Sequence, residues 1–176
     1  SMHQSGFWNL ERQTNLLDGA AHFYDTYECK DGKYVSIGSI EPQFYALLCE
    51  KAELSQEDFG DQMKRDTWQN KKQLIKNVFL TKTREEWCDL MEGSDVCFAP
   101  VLDMSEAPMH PHNIARQTFI EIEGVTQPAP APRFDRTQNE ITLPPAIAGE
   151  HSKEILESIG IDSNEYERLI SSGSIV

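Results

Sequence analysis

Glu41 is the side chain of this sequence best placed for acid–base chemistry, because it stands where a predicted strand gives way to a predicted helix. It lies between Ile40 and Pro42, and proline suits the first turn of a helix, where its missing N–H has no partner to lose. The backbone turns at such a junction and directs the side chain toward a cleft. An acid at a helix start also favours the helix dipole without any catalytic role. Position alone therefore leaves both roles of Glu41 open, and the helix-start acid is the more common one.

The histidines offer weaker candidates for chemistry. His22 heads the first predicted strand, where it could face a ligand. His110 and His112 flank a proline and could be two metal ligands, but no third ligand follows at a useful spacing, so a solvated turn is the better interpretation. His151 precedes a predicted helix, where it helps to end a loop.

The four cysteines, Cys29, Cys49, Cys88 and Cys97, have irregular spacings and form no C-x-x-C pair. Zinc sites need paired Cys and His spacings that are missing here. A chain of this size does not need disulfides to fold. We therefore expect reduced thiols in an intracellular protein and no metal site.

Composition argues against several other classes of function. The 176 residues carry 16 Lys and Arg against 29 Asp and Glu, a net charge of −13. Such an acidic chain repels the phosphate backbone of nucleic acids and anionic membrane surfaces, so we expect neither partner. No apolar run approaches the ~20 residues that span a bilayer. The G-x-G-x-x-G, P-loop and G-x-S-x-G motifs do not occur.

The elements that must position Glu41 predict an α+β fold. Residues 22–29 and 33–38 read as two strands of a β-hairpin closed by the Asp31-Gly32 turn. Val35 and Ile37 share one face of the second strand. The remaining predicted elements are short. The first three are a helix from Pro42 with a stripe of Phe44, Leu47, Leu48 and Lys51, a helix capped by Asp66, and a helix with a capping box at Thr83–Glu86 that ends at Gly93. They are followed by a strand within 96–102, helical pieces within 103–117, a strand at 119–123, a helix that ends near Gly160 and another with a capping box at Asp162 and Glu165.

Composition shifts divide the chain into four segments. Residues 1–16 show no period and predict a connecting arm, and Ser1-Met2 is typical of a start left by tag removal, so the natural chain is expected to begin earlier. Residues 17–125 predict a small α+β domain. Residues 126–148 are rich in proline and predict an extended connector. Residues 149–176 predict a C-terminal helical tail.

Two stretches, 15–27 and 31–45, closely resemble the α-methylacyl-CoA racemases of the family III CoA-transferase superfamily. The most specific block is Ile40-Glu41-Pro42-Gln43-Phe44-Tyr45, while Gly149-Glu150-His151 marks the wider superfamily. The resemblance keeps its order along nearly the whole chain. Its further blocks are Glu86-Trp87-Cys88, Ala99-Pro100-Val101, Pro130-Ala131-Pro132-Arg133-Phe134 and residues 149–156.

The resemblance implies a larger enzyme than this chain. Such enzymes have an N-terminal half that binds CoA. In racemases that half carries the histidine and aspartate that exchange the α-proton, and in transferases it carries an aspartate that forms an acyl anhydride. This chain resembles the small domain plus the tail that returns to the large domain. Members form interlocked homodimers, with each active site between one subunit's large domain and the other's small domain, so the chain alone is expected to be inactive.

The resemblance also implies roles for individual residues. Glu41 matches a glutamate near the catalytic histidine, which it would orient and whose proton affinity it would raise. Leu17, Tyr24 and Ile40 match residues that line the acyl pocket, and His22 stands where racemases would have proline. Acyl-CoA is the substrate that the resemblance implies, with neither a metal nor an organic cofactor.

One absence favours the racemase over the transferase. Family III transferases often carry a run of glycines early in the small domain, which folds over the reactive centre, whereas Asp18-Gly19-Ala20-Ala21 has a single glycine. A mobile lid needs backbone freedom that alanines reduce. We therefore expect a C-terminal fragment of a 2-methylacyl-CoA racemase. The alternatives are a fragment of a CoA-transferase and a non-catalytic dimerisation module, and the expected location is cytoplasmic, or peroxisomal or mitochondrial in a eukaryote.

Overall fold

Buried apolar side chains are confined to the first of two structural units. The computed structural model describes residues 1–175 and divides the chain into Ser1–Ser105 and a second unit that begins at Glu106. Every residue of the hydrophobic core belongs to the first unit. None of the described residues from 106 onward is buried. The first unit therefore supplies the rigid frame for the predicted site.

A three-stranded antiparallel sheet forms the centre of the first unit. Strand β1 (Tyr24–Glu28) pairs with β2 (Tyr34–Gly38), and β3 (Phe98–Val101) adds on the other side of β2. In the register Tyr27 lies opposite Val35, and both are buried. The predicted hairpin, the strand within 96–102 and the α+β class are confirmed.

Helices cover this sheet and carry most of the buried aromatic rings. Tyr27 of β1 stacks on Phe79 at 5.2 Å between ring centroids, and Phe79 meets Trp87 edge to face at 5.0 Å. The indole N–H of Trp87 donates to the Phe79 carbonyl at 2.9 Å, so its polar atom is satisfied in the core. The helices of the first unit are α1 (Pro42–Lys51), α2 (Gln56–Phe59), α3 (Trp68–Phe79) and α4 (Arg84–Met91), with a 3-10 turn at Arg65–Thr67 before α3.

One local prediction for these helices is wrong, and another is incomplete. Asp66 does not cap a helix, because it lies inside the 3-10 turn and α3 begins at Trp68. In α1 the buried residues are Tyr45, Leu48 and Cys49, whereas Phe44 and Leu47 of the predicted stripe are half-buried. Tyr45 turns inward because its hydroxyl finds buried partners there, which apolar periodicity does not reveal.

The capping box at the start of α4 forms as predicted. The Thr83 hydroxyl accepts from the Glu86 backbone N–H at 3.2 Å, and the Glu86 carboxylate accepts from the Thr83 backbone N–H at 2.7 Å. These bonds hold the pKa of Glu86 below its ordinary value. The box starts α4 at a defined residue and so directs Trp87 into the core.

The second unit has short elements without a buried centre. A hairpin joins β4 (Phe119–Ile122) to β5 (Val125–Pro128), so the proline-rich stretch begins with a paired strand that the sequence did not predict. Pro128 tolerates this place because it ends the pairing, opposite Phe119. The other elements of this unit are a 3-10 turn at Ala107–Met109, α5 (Pro111–Ala115), α6 (Ser152–Ser158) and α7 (Ser163–Ser171).

The cap of α7 is confirmed, but its capping box is not. Asp162 accepts from the backbone N–H groups of Asn164 and Glu165, each at 2.9 Å. Glu165, expected to bond back to the cap, instead accepts from Arg168 Nε at 2.7 Å. A guanidinium offers charge-assisted donors, which compete well against one neutral N–H.

Among the described residues, no helix has the length and apolar character needed to cross a membrane.

Replacing Thr83 with alanine is expected to lower the free energy of unfolding by ~1 kcal/mol, because a helix start loses its side-chain acceptor. Thr67→Ala is the matched control, since Thr67 precedes α3 and its hydroxyl donates to the Lys64 carbonyl at 2.7 Å but accepts no bond from the helix start. Chemical denaturation of both variants measures the difference. Equal losses in the two variants would show that the capping box adds nothing to stability.

Candidate functional site

Hydrogen bonds to distant residues hold the turn between β2 and α1. The Ser39 backbone N–H donates to the Phe23 carbonyl at 3.0 Å, and the Ser39 hydroxyl donates to the Val96 carbonyl at 2.5 Å. The side-chain amide of Gln62 donates to the carbonyls of Ser39 and Ile40, each at 2.9 Å. Ser39 and Gln62 are buried. The chain therefore leaves the sheet along a path that the core determines.

Glu41 occupies the first position after this turn, and its carboxylate is not used by the helix. It is the N-cap residue of α1 with φ −70° and ψ 144°, yet its side chain makes no cap hydrogen bond. The side chain is exposed. The capping role that position suggested is therefore not realised, although the charge still lies at the positive end of the helix dipole.

Cys97 lies beside this carboxylate. Its carbonyl accepts from the Gly38 backbone N–H at 2.8 Å, which places it at the end of β2. Partial desolvation raises the pKa of the exposed Cys97 thiol above its ordinary value, and the negative charges of Glu41 and Asp95 add to that. The surroundings of Glu41 thus contain a neutral thiol and a second acid.

Tyr24 and Ile40 lie at the same end of the hairpin as Glu41. Tyr24 pairs with Gly38, and its ring lies 3.6 Å from the place that a Cβ at Gly38 would occupy. Both Tyr24 and Ile40 are half-buried against the core. Leu17 is exposed in the turn that precedes β1 and does not pack against that core. The strand register therefore places Tyr24 opposite the end of β2, just before Ile40 and Glu41, and the predicted roles of these residues and of Leu17 in an active site stay predictions.

A cleft of about 370 Å³ adjoins Tyr24. Its wall includes Asp18, Gly19 and Asp25. Lys72 forms an ion pair with Asp25 at 2.5 Å and also donates to the Gly19 carbonyl, which ties the segment before β1 to α3. A larger cleft of about 630 Å³ lies within the second unit and contains none of the predicted site residues.

His22, which could have faced a ligand from its place in the sequence, is a core residue. It is fully buried, and its Nε2 lies 2.8 Å from the Tyr45 hydroxyl. That hydroxyl donates to the Phe59 carbonyl at 2.9 Å, so Nε2 must carry the proton and donate to Tyr45. Nδ1 is then an acceptor, and it is buried without a partner. Burial, with a smaller contribution from Lys71, lowers the pKa of His22 to about 3.

The remaining histidines and the cysteines form no site together. The His110 side chain accepts from the His112 backbone N–H at 3.3 Å and so caps α5, in keeping with a structural turn. The four cysteines are free thiols. Burial is the largest cause that raises the pKa of Cys29 and of Cys88 to about 11. Within residues 1–175, no group of three or more His, Cys, Asp or Glu side chains is arranged to hold a metal.

Comparison with known proteins identifies a protein family and relatives of similar sequence. The sequence profile of CoA-transferase family III matches residues 2–152. Alpha-methylacyl-CoA racemase of Mus musculus is 40% identical over 171 residues, covering 94% of this chain and 44% of the racemase. Succinyl-CoA:glutarate CoA-transferase of the same species is 28% identical over 163 residues, covering 86% of this chain and 37% of the transferase.

Solved structures share the fold. A hypothetical protein (Rv3272) from Mycobacterium tuberculosis superimposes with a TM-score of 0.62 at 21% identity, covering 80% of this chain and 41% of that protein. This chain therefore spans less than half the length of each of these relatives.

The buried neutral His22 is expected to make the first unit sensitive to acid. In the unfolded chain its pKa is near 6.5, while in the folded chain it is about 3. Between these values only the unfolded state binds the proton. The free energy of unfolding contributed by His22 therefore falls as pH decreases, by ~1.4 kcal/mol per pH unit inside that window.

Denaturation of the wild type and of His22→Phe between pH 7 and pH 4 measures this contribution as the difference in slope. The exposed His112, changed to glutamine, is the control and should keep the slope of the wild type. A His22→Phe variant whose stability falls with pH as steeply as that of the wild type would refute the buried neutral imidazole.

Proposed function

Because this chain belongs to CoA-transferase family III, we propose that it supplies the acyl-pocket wall and a supporting carboxylate to the active site of an acyl-CoA racemase. The reaction interconverts the two configurations at C2 of a 2-methylacyl-CoA by removal and return of a proton. The observation that carries the proposal is Glu41, whose position the core determines and whose carboxylate makes no helix-cap bond. A carboxylate carried by a backbone that the core holds, and left without a helix-cap bond, can serve another group.

The chemistry explains why such a carboxylate is useful. Removing a proton α to a thioester needs a base on one face of C2 and an acid on the other. The two groups must be held in different protonation states by their surroundings. A carboxylate beside the histidine favours the imidazolium and fixes the orientation of its ring. In this proposal the histidine and the aspartate come from the CoA-binding half, and Glu41 supports the histidine.

The side chains near Glu41 suit an acyl chain. Tyr24 and Ile40 are only half-buried, so each keeps an apolar face that is open to a ligand. Leu17 is exposed in the preceding turn and would join them when the rest of the site assembles. Apolar walls with few polar groups are typical of pockets that take a hydrocarbon chain.

Two observations favour a racemase over a CoA-transferase. The racemase relative is 40% identical to this chain, whereas the transferase relative is 28% identical. Ala20 and Ala21 are buried in the core, and Lys72 holds the Gly19 carbonyl. The segment that would carry a glycine lid is therefore anchored, and proton exchange remains the preferred reaction.

The second unit is suited to packing against another polypeptide. Its apolar residues include Ile147, Ile155 and Ile159, which are exposed. Exposed apolar groups of this size are typical of a surface that packs against another polypeptide. We place the CoA-binding half of an interlocked homodimer there. A purely structural role as a dimerisation module is the competing function, and it assigns no chemistry to Glu41.

Proton exchange with solvent is the direct test of the proposed reaction. The complete protein, which includes the CoA-binding half, is expected to introduce deuterium from D₂O at C2 of a 2-methylacyl-CoA, because the intermediate has lost that proton. The chain described here, assayed alone, should introduce none. Mass spectrometry of the recovered thioester measures the label. Transfer of CoA to a free acid without labelling would establish the transferase instead.

Glu41→Gln in the complete protein is expected to reduce kcat/KM by ~10–100-fold, by analogy with the loss of partners that orient metal-bound histidines. Glutamine can still donate and accept hydrogen bonds but cannot favour the imidazolium. The limb of the pH–rate profile due to the histidine should therefore move to lower pH.

Glu50→Gln, at an exposed carboxylate on the same helix, is the control and should leave the profile unchanged. A helix-start acid without a catalytic role predicts a different result. Glu41→Gln would then cost at most ~1 kcal/mol of stability and would keep the pH profile of the wild type.

A further inference from the structure

The side chain of Gln62 reaches the turn before Glu41 from a different part of the first unit. It lies in the loop between α2 and α3, and its Nε2 donates to the consecutive carbonyls of Ser39 and Ile40. Both partners are acceptors, so the orientation of the amide is determined by them. One buried amide thus satisfies two backbone groups that would otherwise lie at the end of a strand without a partner.

These bonds fix the peptide planes that lead into Glu41. The carbonyl of Ile40 belongs to the peptide unit whose nitrogen is that of Glu41. The Ile40 N–H donates to the Gly38 carbonyl at 2.8 Å, and the Ser39 N–H donates to Phe23. The Ser39–Ile40 plane is therefore bonded on both sides, and the Ile40–Glu41 plane is bonded through its carbonyl, so these hydrogen bonds constrain the backbone that carries Glu41.

Gln62 is itself held by the core. The backbone carbonyl of Gln62 accepts from the indole N–H of Trp68 at 2.8 Å. Trp68 is buried and meets Phe23 edge to face at 5.8 Å. On the neighbouring residue, the Asp61 carbonyl accepts from Lys71 Nζ at 2.6 Å. Contacts near the start of α3 therefore set the position of Gln62, and the turn follows the position of Gln62.

We propose that Gln62 is a positioning residue that sets the direction of the Glu41 carboxylate. This inference rests on the proposed function, in which that carboxylate supports a histidine. Catalytic geometry is sensitive to displacements of about 1 Å, which cost up to ~100-fold in rate. A side chain that only fills space or satisfies carbonyls would affect stability without affecting the chemistry.

The test is Gln62→Met in the complete protein, which keeps the length of the side chain and removes its N–H donors. It should lower kcat/KM by ~10–100-fold, mainly through kcat, and move the histidine limb of the pH profile to lower pH. Thr83→Ala is the matched control, because it loses a hydrogen bond of the same unit far from Glu41 in sequence. The control should leave kcat and the pH profile unchanged.

A double-mutant cycle separates positioning from general damage. If Gln62 acts through Glu41, then adding Gln62→Met to Glu41→Gln should lower kcat/KM by no more than about 2-fold further. Gln62→Asn, a shorter amide that keeps its donors, should recover part of the activity and can replace the methionine variant if that does not fold. Full multiplication of the two losses would overturn the inference and leave the role of Glu41 intact. If Glu41→Gln itself shows a normal rate and a normal pH profile, the proposed function and this inference are overturned together.

Discussion

The path of the backbone from β2 into α1 depends on hydrogen bonds made by residues far away in the sequence. Ser39 and Ile40 follow the end of β2, Ser39 buried and Ile40 half-buried, and an unpaired carbonyl in a buried environment costs ~1–3 kcal/mol. Gln62 removes that cost for both carbonyls, and Val96 accepts from the Ser39 hydroxyl. Because those partners are buried residues of the first unit, the fold of that unit fixes the course of the turn. In the proposed site, this turn presents the exposed carboxylate of Glu41 to another polypeptide.

The two units contribute differently to such a site. The first unit has its own core, built around Trp87, Phe79 and Phe23, and needs nothing else to hold its turn. The second unit exposes its apolar residues and buries none of those described. Its hairpin has strand pairing and its helices have caps, but the described residues of this unit enclose no hydrophobic core. In the proposed assembly the second unit gains its stability by packing on another polypeptide, and the first unit presents its carboxylate to an active site.

Local patterns predicted what depends on local physics. The Asp31-Gly32 hairpin, the capping box of α4 and the place of Glu41 before Pro42 all follow from residues within a few positions of one another. The failures have different causes. Asp66 lies inside a local 3-10 turn and caps no helix, whereas His22 is a core residue because Tyr45 and Phe59, distant in the sequence, lie around it. No spacing could identify Gln62, since its partners are 22 and 23 residues away and are backbone atoms.

The central claim is that Glu41 meets the histidine that exchanges the α-proton. A structure of the complete protein with a bound 2-methylacyl-CoA thioester measures this directly. We expect a Glu41 carboxylate oxygen within hydrogen-bond distance of an imidazole nitrogen, about 2.7–3.2 Å, with the turn at Ser39 and Ile40 unchanged. A Glu41 carboxylate directed into solvent, more than ~6 Å from the histidine, would have no influence on the imidazole and would refute the role of Glu41.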